Sequence, residues 1–272
     1  MNFVKNLFNF YINASIHLGL MAYAFVRITE LYFQLPYNEP LDYVIFYGTI
    51  FGYNFVKYVE VSKLHHKNLT KSLKSIQVFS VISLGATVYY ILQLSLKTQL
   101  FFVPFSLLTV LYAIPFLSGF QRNLRNIAFI KNMIIALVWA GVTVLIPVFD
   151  VQNQIDSISL LMCMQRFLII LILLIPFDIR DMRYDNDLLK TIPQIIGVFK
   201  AKKVGFVLLL ITLFLEFRIA PNVYFKNVFL GMFFVILFLL MKTKEHQNKY
   251  YSSFWIDAVP TFWWLLLLMI VR

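Results

Sequence analysis

Nine stretches of mainly apolar residues dominate this chain, and any fold it adopts must accommodate all of them. They run over roughly 13–33, 41–61, 76–95, 98–117, 128–149, 158–178, 204–220, 223–241 and 254–271. A helix of about 20 apolar residues spans the hydrocarbon core of a bilayer, where each backbone N–H and C=O must find its partner within the segment. Only 14% of the 272 residues are charged and 60% are hydrophobic, against about 25% charged in a soluble domain. The connections are too short to hold a soluble domain. The expected fold is an all-α membrane protein: a single polytopic domain over residues 1–272, built as a bundle of about nine transmembrane helices. The opening MNFVKNLFNF has no small-residue cleavage site, so no cleaved signal peptide is expected.

The net charge of +11 is distributed by loop. Lys63, Lys67, Lys71 and Lys74 follow the second stretch, and Arg122, Arg125 and Lys131 follow the fourth. Arg180, Arg183, Lys190, Lys200, Lys202 and Lys203 follow the sixth, and Lys242, Lys244 and Lys249 the eighth. The alternate loops carry only Lys97, Arg218 and Lys226. The positive-inside rule puts the four basic loops and the N-terminus in the cytoplasm and the C-terminus outside. The basic side also favours anionic membrane lipids. Nucleic-acid binding is excluded as a reading, since no basic face with base-reading or stacking groups is present. Cys163 is the one cysteine, so no disulfide framework exists. His65 and His66 are neighbours in a basic loop, point apart on a helix and have no acidic partner nearby, so they are not read as a metal pair. Trp255, Trp263 and Trp264 are read as interfacial or lipid-facing aromatics, Trp139 as packing, and Glu216 and Asp257 as isolated acids near membrane ends.

The chemistry concentrates at the cytoplasmic end of the sixth stretch, in IPFDIRDMRYDNDLLKTIPQIIG, residues 175–197. Asp178, Asp181 and Asp185 fall at i, i+3 and i+7, one face of a helix. Stacked carboxylates repel unless a cation lies among them, and hard oxygen ligands of this kind suit Mg²⁺ shared with phosphates. Arg180, Arg183 and Lys190 are interleaved with the acids. The second stretch ends GYNFVKYVEVSK, which brings Asn54 and Lys57 to the same side. Lys57 either snorkels to the surface or faces a cavity, with Glu60 near enough in sequence to neutralise it. Arg27 and Glu30, three apart in the first stretch, can pair on one helix face. Arg122 and Lys131 are either topology signals or a roof over a polyanion.

The text DIRDMRYDNDLLKTIPQIIG resembles the second motif of the UbiA superfamily of intramembrane prenyltransferases, DxxxD, here Asp181 and Asp185. Thr191, Pro193 and Gly197 match its downstream pattern, and Tyr112 and the RNIAFIKN lead-in to the fifth stretch fit as well. The resemblance implies nine spans and an isoprenyl diphosphate held through Mg²⁺ between two aspartate motifs. It also implies transfer of the prenyl group to a lipophilic acceptor. Asp181 and Asp185 would coordinate Mg²⁺, with Asp178 assisting. Asn54 would contact metal or diphosphate, and Lys57 the diphosphate. Arg122, Lys131 and Lys190 are candidate diphosphate donors. Tyr112 would face the carbon that becomes cationic, while Arg180 and Arg183 could pair with the acids from outside the site.

Two of the family's motifs are altered. The first, NDxxDxxxD, keeps only Asn54, with Phe55, Tyr58 and Ser62 at its aspartate positions. The lysine of YxxxK is Phe116. Three readings follow: a prenyltransferase in which Lys57 stands in for lost metal charge, a non-catalytic binder of a polyprenyl or quinone-type lipid, and a lipid transporter or scaffold. The Phe-, Ile-, Asn- and Lys-rich usage points to an AT-rich bacterial genome, and hence to a bacterial cytoplasmic membrane.

Overall fold

The computed structural model describes residues 2–64, 71–113, 130–182 and 191–270, and these form helices and turns with no strand among them. Helix α1 spans Asn2–Asn13, α2 Ile16–Phe33, α3 Glu39–Leu64, α4 Lys71–Ile91 and α5 Leu96–Ala113. Helices α6 (Ile130–Ala140) and α7 (Ile146–Gln152) join through a π-helical turn at Gly141–Leu145. Then come α8 Ser157–Asp181, the short α9 Ile192–Ile196, α10 Val198–Ile219 and α11 Val223–Lys242. A π-helical turn at Tyr251–Ile256 leads into α12, Val259–Ile270.

Each of the nine apolar stretches therefore falls, over its described residues, mainly on a long helical segment, with 114–117 and 128–129 lying outside them. Five of these are long and apolar enough to cross a membrane by length and composition: Leu96–Ala113, Ile130–Gln152, Ser157–Asp181, Val223–Lys242 and Tyr251–Ile270. The other four carry charges that lower their hydropathy, such as Arg27 and Glu30 in α2 or Lys200, Lys202 and Lys203 in α10. Large apolar side chains point outward along the bundle, with Phe214 71% and Met269 76% exposed. An apolar surface of this extent requires lipid. The chain is an integral membrane protein.

Helices adjacent in sequence pack side by side, α2 on α3, α3 on α4, α8 on α10, α10 on α11, and α12 returns to α2 to close the bundle. Local chemistry sets the ends. Asp156 caps α8 by accepting from the Ser159 N–H at 2.8 Å, and Asn222 caps α11 by accepting from Tyr224 and Phe225 N–H groups, satisfying donors that a helix start leaves orphaned. Thr191 and Gln194 form a capping box on α9, with Pro193 in its first turn. Gly197 then turns the chain into α10 with φ +83°, a conformation that glycine alone adopts without strain. The threonine–proline–glycine pattern read in the sequence thus builds a short capped helix and a turn.

The core holds more charge than the sequence leads one to expect. Arg166, inside the apolar run of α8, is fully buried, with its guanidinium 4.0 Å from the Phe25 ring centroid and donating to the Phe25 carbonyl at 3.1 Å. Glu216, read as an isolated acid, accepts from the Tyr32 hydroxyl and the Gln165 amide, each at 2.8 Å. Trp263, read as interfacial, is fully buried against Phe229 and near Arg166. A buried guanidinium survives there because aromatic faces and a carbonyl replace part of its hydration. Arg27 pairs with Glu30 as the spacing predicts, and also lies 3.5 Å from Asp42.

Candidate functional site

Helices α3, α5 and α8 finish at one end of the bundle, while α2, α6 and the segment from Tyr251 begin there. A cavity of about 860 Å³ opens among them. Its inner wall is apolar, with Met21, Ile45, Phe102, Phe105 and Leu173 among the lining residues. Its polar end is lined by Lys57, Lys131, Asn132, Asp178, Arg180, Asp181 and Ser253, and Asp257 also lines the cavity.

The acids at the end of α8 are held by neighbours. Asp178, 3% exposed, accepts from the Asn132 amide at 2.5 Å and lies 3.5 Å from the Lys131 ammonium. Asp181 is clasped by Arg180, Nε to Oδ1 at 2.6 Å and Nη2 to Oδ2 at 3.0 Å. The remaining Arg180 edge donates to Ser253 Oγ at 3.2 Å, and its guanidinium lies 5.1 Å from the Phe177 ring. Pro176 two residues earlier breaks the helical hydrogen-bond ladder, and its carbonyl accepts from Gln247 at 2.9 Å. Lys57 reaches across to α1, donating to the Asn13 carbonyl at 3.2 Å. His17 bridges Tyr11 and the Phe254 carbonyl at 2.7 and 2.9 Å and stacks on the Phe254 ring.

Among the described lining residues, three cations (Lys57, Lys131, Arg180) face three carboxylates (Asp178, Asp181, Asp257). That wall is close to neutral. A polyanion entering it therefore calls for added positive charge. Two carboxylates at a cavity wall suit Mg²⁺, which binds through one or two carboxylates and completes its shell with waters and substrate phosphates. No group of three His, Cys, Asp or Glu side chains able to cage a metal occurs among the described residues. The donor set thus fits a metal shared with a phosphate, and not one caged by protein alone.

No protein-family model and no curated protein matches the sequence. Solved structures do match in shape. A UbiA homolog from Archaeoglobus fulgidus bound to DMAPP and Mg²⁺ superposes with TM-score 0.64 at 10% identity, over 97% of this chain and 99% of that one. The same homolog bound to GPP and Mg²⁺ gives 0.63 at 11%, over 97% and 99%. A digeranylgeranylglyceryl phosphate synthase gives 0.53 at 14%, over 98% and 96%.

This chain has the UbiA fold. Within the UbiA fold, the structure brings Asp178, Asp181, Lys57, Lys131 and Tyr112 to one cavity. Asn54 lies behind that wall: its side chain accepts from Ser15 at 2.8 Å and donates to the Ala14 carbonyl at 3.0 Å and Ser80 at 2.8 Å. Its place in the sequence motif coincides with a tie of α3 to α4 and to the link between α1 and α2, and every polar atom of its amide is engaged there. Phe55, at the motif's first aspartate position, lines the cavity instead. Asp185, Arg122, Arg183, Lys190, Phe116 and the His65–His66 pair lie outside the described residues, as do the side chains of Tyr58, Glu60 and Ser62.

Several lining residues were not legible as a group in the sequence. Asn132 orients Asp178, Ser253 receives Arg180, and Trp139 donates its indole N–H to the Tyr53 hydroxyl at 2.9 Å. Asp257, read as isolated, is 5% exposed and lines the cavity. The signal was available for Asp257, because an acid inside an apolar span is a functional hypothesis by default.

Proposed function

We propose that this chain is a UbiA-type prenyltransferase, which admits an isoprenyl diphosphate to the cavity and transfers the prenyl group to a lipophilic acceptor. The observation that carries this is the division of one cavity into a long apolar wall and a polar end holding Asp178, Asp181, Lys57, Lys131 and Arg180. A prenyl diphosphate has that same division, a hydrocarbon tail and a polyanionic head. The fold's relatives solved with DMAPP, GPP and Mg²⁺ support the choice of ligand.

The head would sit at the polar end, where the two lysines supply donors to phosphate oxygens and Arg180 adds positive charge beside them. Asp178 and Asp181 would hold Mg²⁺, with Asp185 the third acid that the sequence offers. Bound there, Mg²⁺ supplies charge that stabilises the departing diphosphate. The chain's own residues do the rest. Arg180 and Lys131 keep the acids positioned, the apolar wall keeps water from the allylic carbon, and the faces of Tyr112 and Trp139 stabilise positive charge that develops there. All nine long helical segments would span the membrane, with the polar end at the cytoplasmic face of a bacterial inner membrane.

Phe55 at the cavity wall favours a second reading, a prenyl-lipid binder without turnover. One experiment separates the two. Purified protein with Mg²⁺, radiolabelled geranyl diphosphate (GPP) and an extract of its own membrane lipids should release diphosphate and label a lipid. Saturable GPP binding with no release leaves only the second reading. No binding removes both.

A further inference from the structure

Asp257 is the carboxylate of the cavity that, among the described residues, no side chain hydrogen-bonds. Asp178 and Asp181 each accept hydrogen bonds from α6 or α8. Asp257 is 95% buried and lines the same cavity, and its carboxylate makes no hydrogen bond or ion pair among the described residues. Leaving a buried carboxylate without a donor costs free energy. Folds retain such a group where a ligand completes it.

Its depth says which part of a ligand. Ser253, which receives Arg180, stands four residues before Asp257 on a segment running inward from the polar end. Tyr53 stands four residues before Lys57 on α3, which runs outward to it. Asp257 and Tyr53 thus lie about one helical turn, roughly 5 Å, inside the cationic end, and both line the cavity. With a diphosphate head at the polar end, this level is where the first prenyl carbon lies. A group here touches the acceptor and not the diphosphate.

Resting on the prenyltransferase reading, we propose that Asp257 is the acceptor-binding residue and general base, and that the acceptor is a lipophilic alcohol or phenol whose O–H is donated to Asp257. An amine would dock as an ammonium ion on this carboxylate, with no lone pair to react. In the transfer step the acceptor oxygen forms a bond to the first prenyl carbon. The bond from that carbon to the diphosphate oxygen breaks, and its electron pair leaves with diphosphate. The acceptor's proton passes to the Asp257 carboxylate, which later returns it to water. Trp139 orients the Tyr53 hydroxyl beside this point.

The test compares wild type, Asp257→Asn and Asp257→Glu in native membranes supplied with radiolabelled GPP and Mg²⁺, scoring labelled lipid, with GPP affinity measured in parallel on the purified proteins. The expected result is GPP affinity within about twofold of wild type for both variants, which also reports their folding. Lipid labelling should fall about a hundredfold or more in Asp257→Asn, the range general-base removal produces, and return in part in Asp257→Glu. Hydrolysis and mass analysis should place the prenyl group on an oxygen. Labelling at the wild-type rate in Asp257→Asn overturns the assignment while the prenyltransferase reading stands. So does a product whose acceptor carries no hydroxyl. If wild type itself binds GPP and labels nothing, the prenyltransferase reading fails and this assignment fails with it.

Discussion

Arg180 binds its own chain neighbour Asp181 through two parallel hydrogen bonds of 2.6 and 3.0 Å. Adjacent residues on an ideal helix point about 100° apart; here the pair sits at the last turn of α8, where the long arginine can fold back onto the aspartate. The fork fixes Asp181 at the cavity wall and leaves the other guanidinium edge on Ser253, which ties α8 to the last segment of the chain. Arg180→Met should weaken GPP binding by about ten- to a hundredfold, the scale of one to two lost charge-assisted bonds. Arg180→Lys should recover only part of it, since an ammonium cannot make the fork. Equilibrium binding of GPP to the three proteins checks this.

Asn54 makes the opposite prediction. Its amide is spent on Ser15, Ala14 and Ser80, of which Ser15 alone lines the cavity. Asn54→Leu strands those partners in the bundle, at about 1–3 kcal/mol. The expected outcome is a lower melting temperature in detergent, with GPP affinity of the folded fraction within about twofold of wild type. A large loss of affinity at unchanged stability would return Asn54 to the ligand role that its motif implies.

Glu216 joins α10 to α2 and α8 by accepting from Tyr32 and Gln165. Glu216→Leu removes both acceptors and should cost about 1–3 kcal/mol for each stranded group. Glu216→Gln should cost less, because its amide oxygen still accepts one of the two. Thermal melts of the variants, alone and combined with Tyr32→Phe, separate the terms: the double variant Tyr32→Phe/Glu216→Leu should melt above the sum of the single losses.

Asp156 gives a pH dependence away from the site. The Ser159 hydroxyl and backbone N–H hold its carboxyl below the usual aspartate value. A lowered folded value means that the cap's contribution is complete above about pH 4, the unfolded value, and is lost as pH falls through the folded one. Asp156→Ala should lower stability by about 0.5–2 kcal/mol at pH 7, and the gap to wild type should close below about pH 4. Asp156→Asn should keep most of the cap with no such pH dependence. Melts over a pH series check both.

Hydropathy made the helices legible, because a bilayer demands unbroken apolar length and the nine stretches each became a helical segment. The acids at the end of α8 were legible too, since their i, i+3 spacing is local. What sequence spacing does not encode is which distant residue meets which. Arg166 was hidden in an apolar run, and only the approach of Phe25 and Trp263 explains how the core tolerates it. Asp257 looked isolated because, apart from Ser253, its cavity neighbours are more than 70 residues away in the chain. Asn54 carried the identity expected of a ligand, but the partners around its amide, and not its motif, set what it does.

On the prenyltransferase reading, one cavity recognises both ends of a prenyl diphosphate. The most direct measurement is equilibrium binding, in Mg²⁺, of GPP, geraniol and inorganic diphosphate to wild type and Arg180→Met. Recognition of both ends predicts saturable GPP binding at least about tenfold tighter than either fragment, with the advantage of GPP over geraniol reduced in Arg180→Met. Equal affinity for GPP and geraniol, unaffected by Arg180→Met, would contradict it.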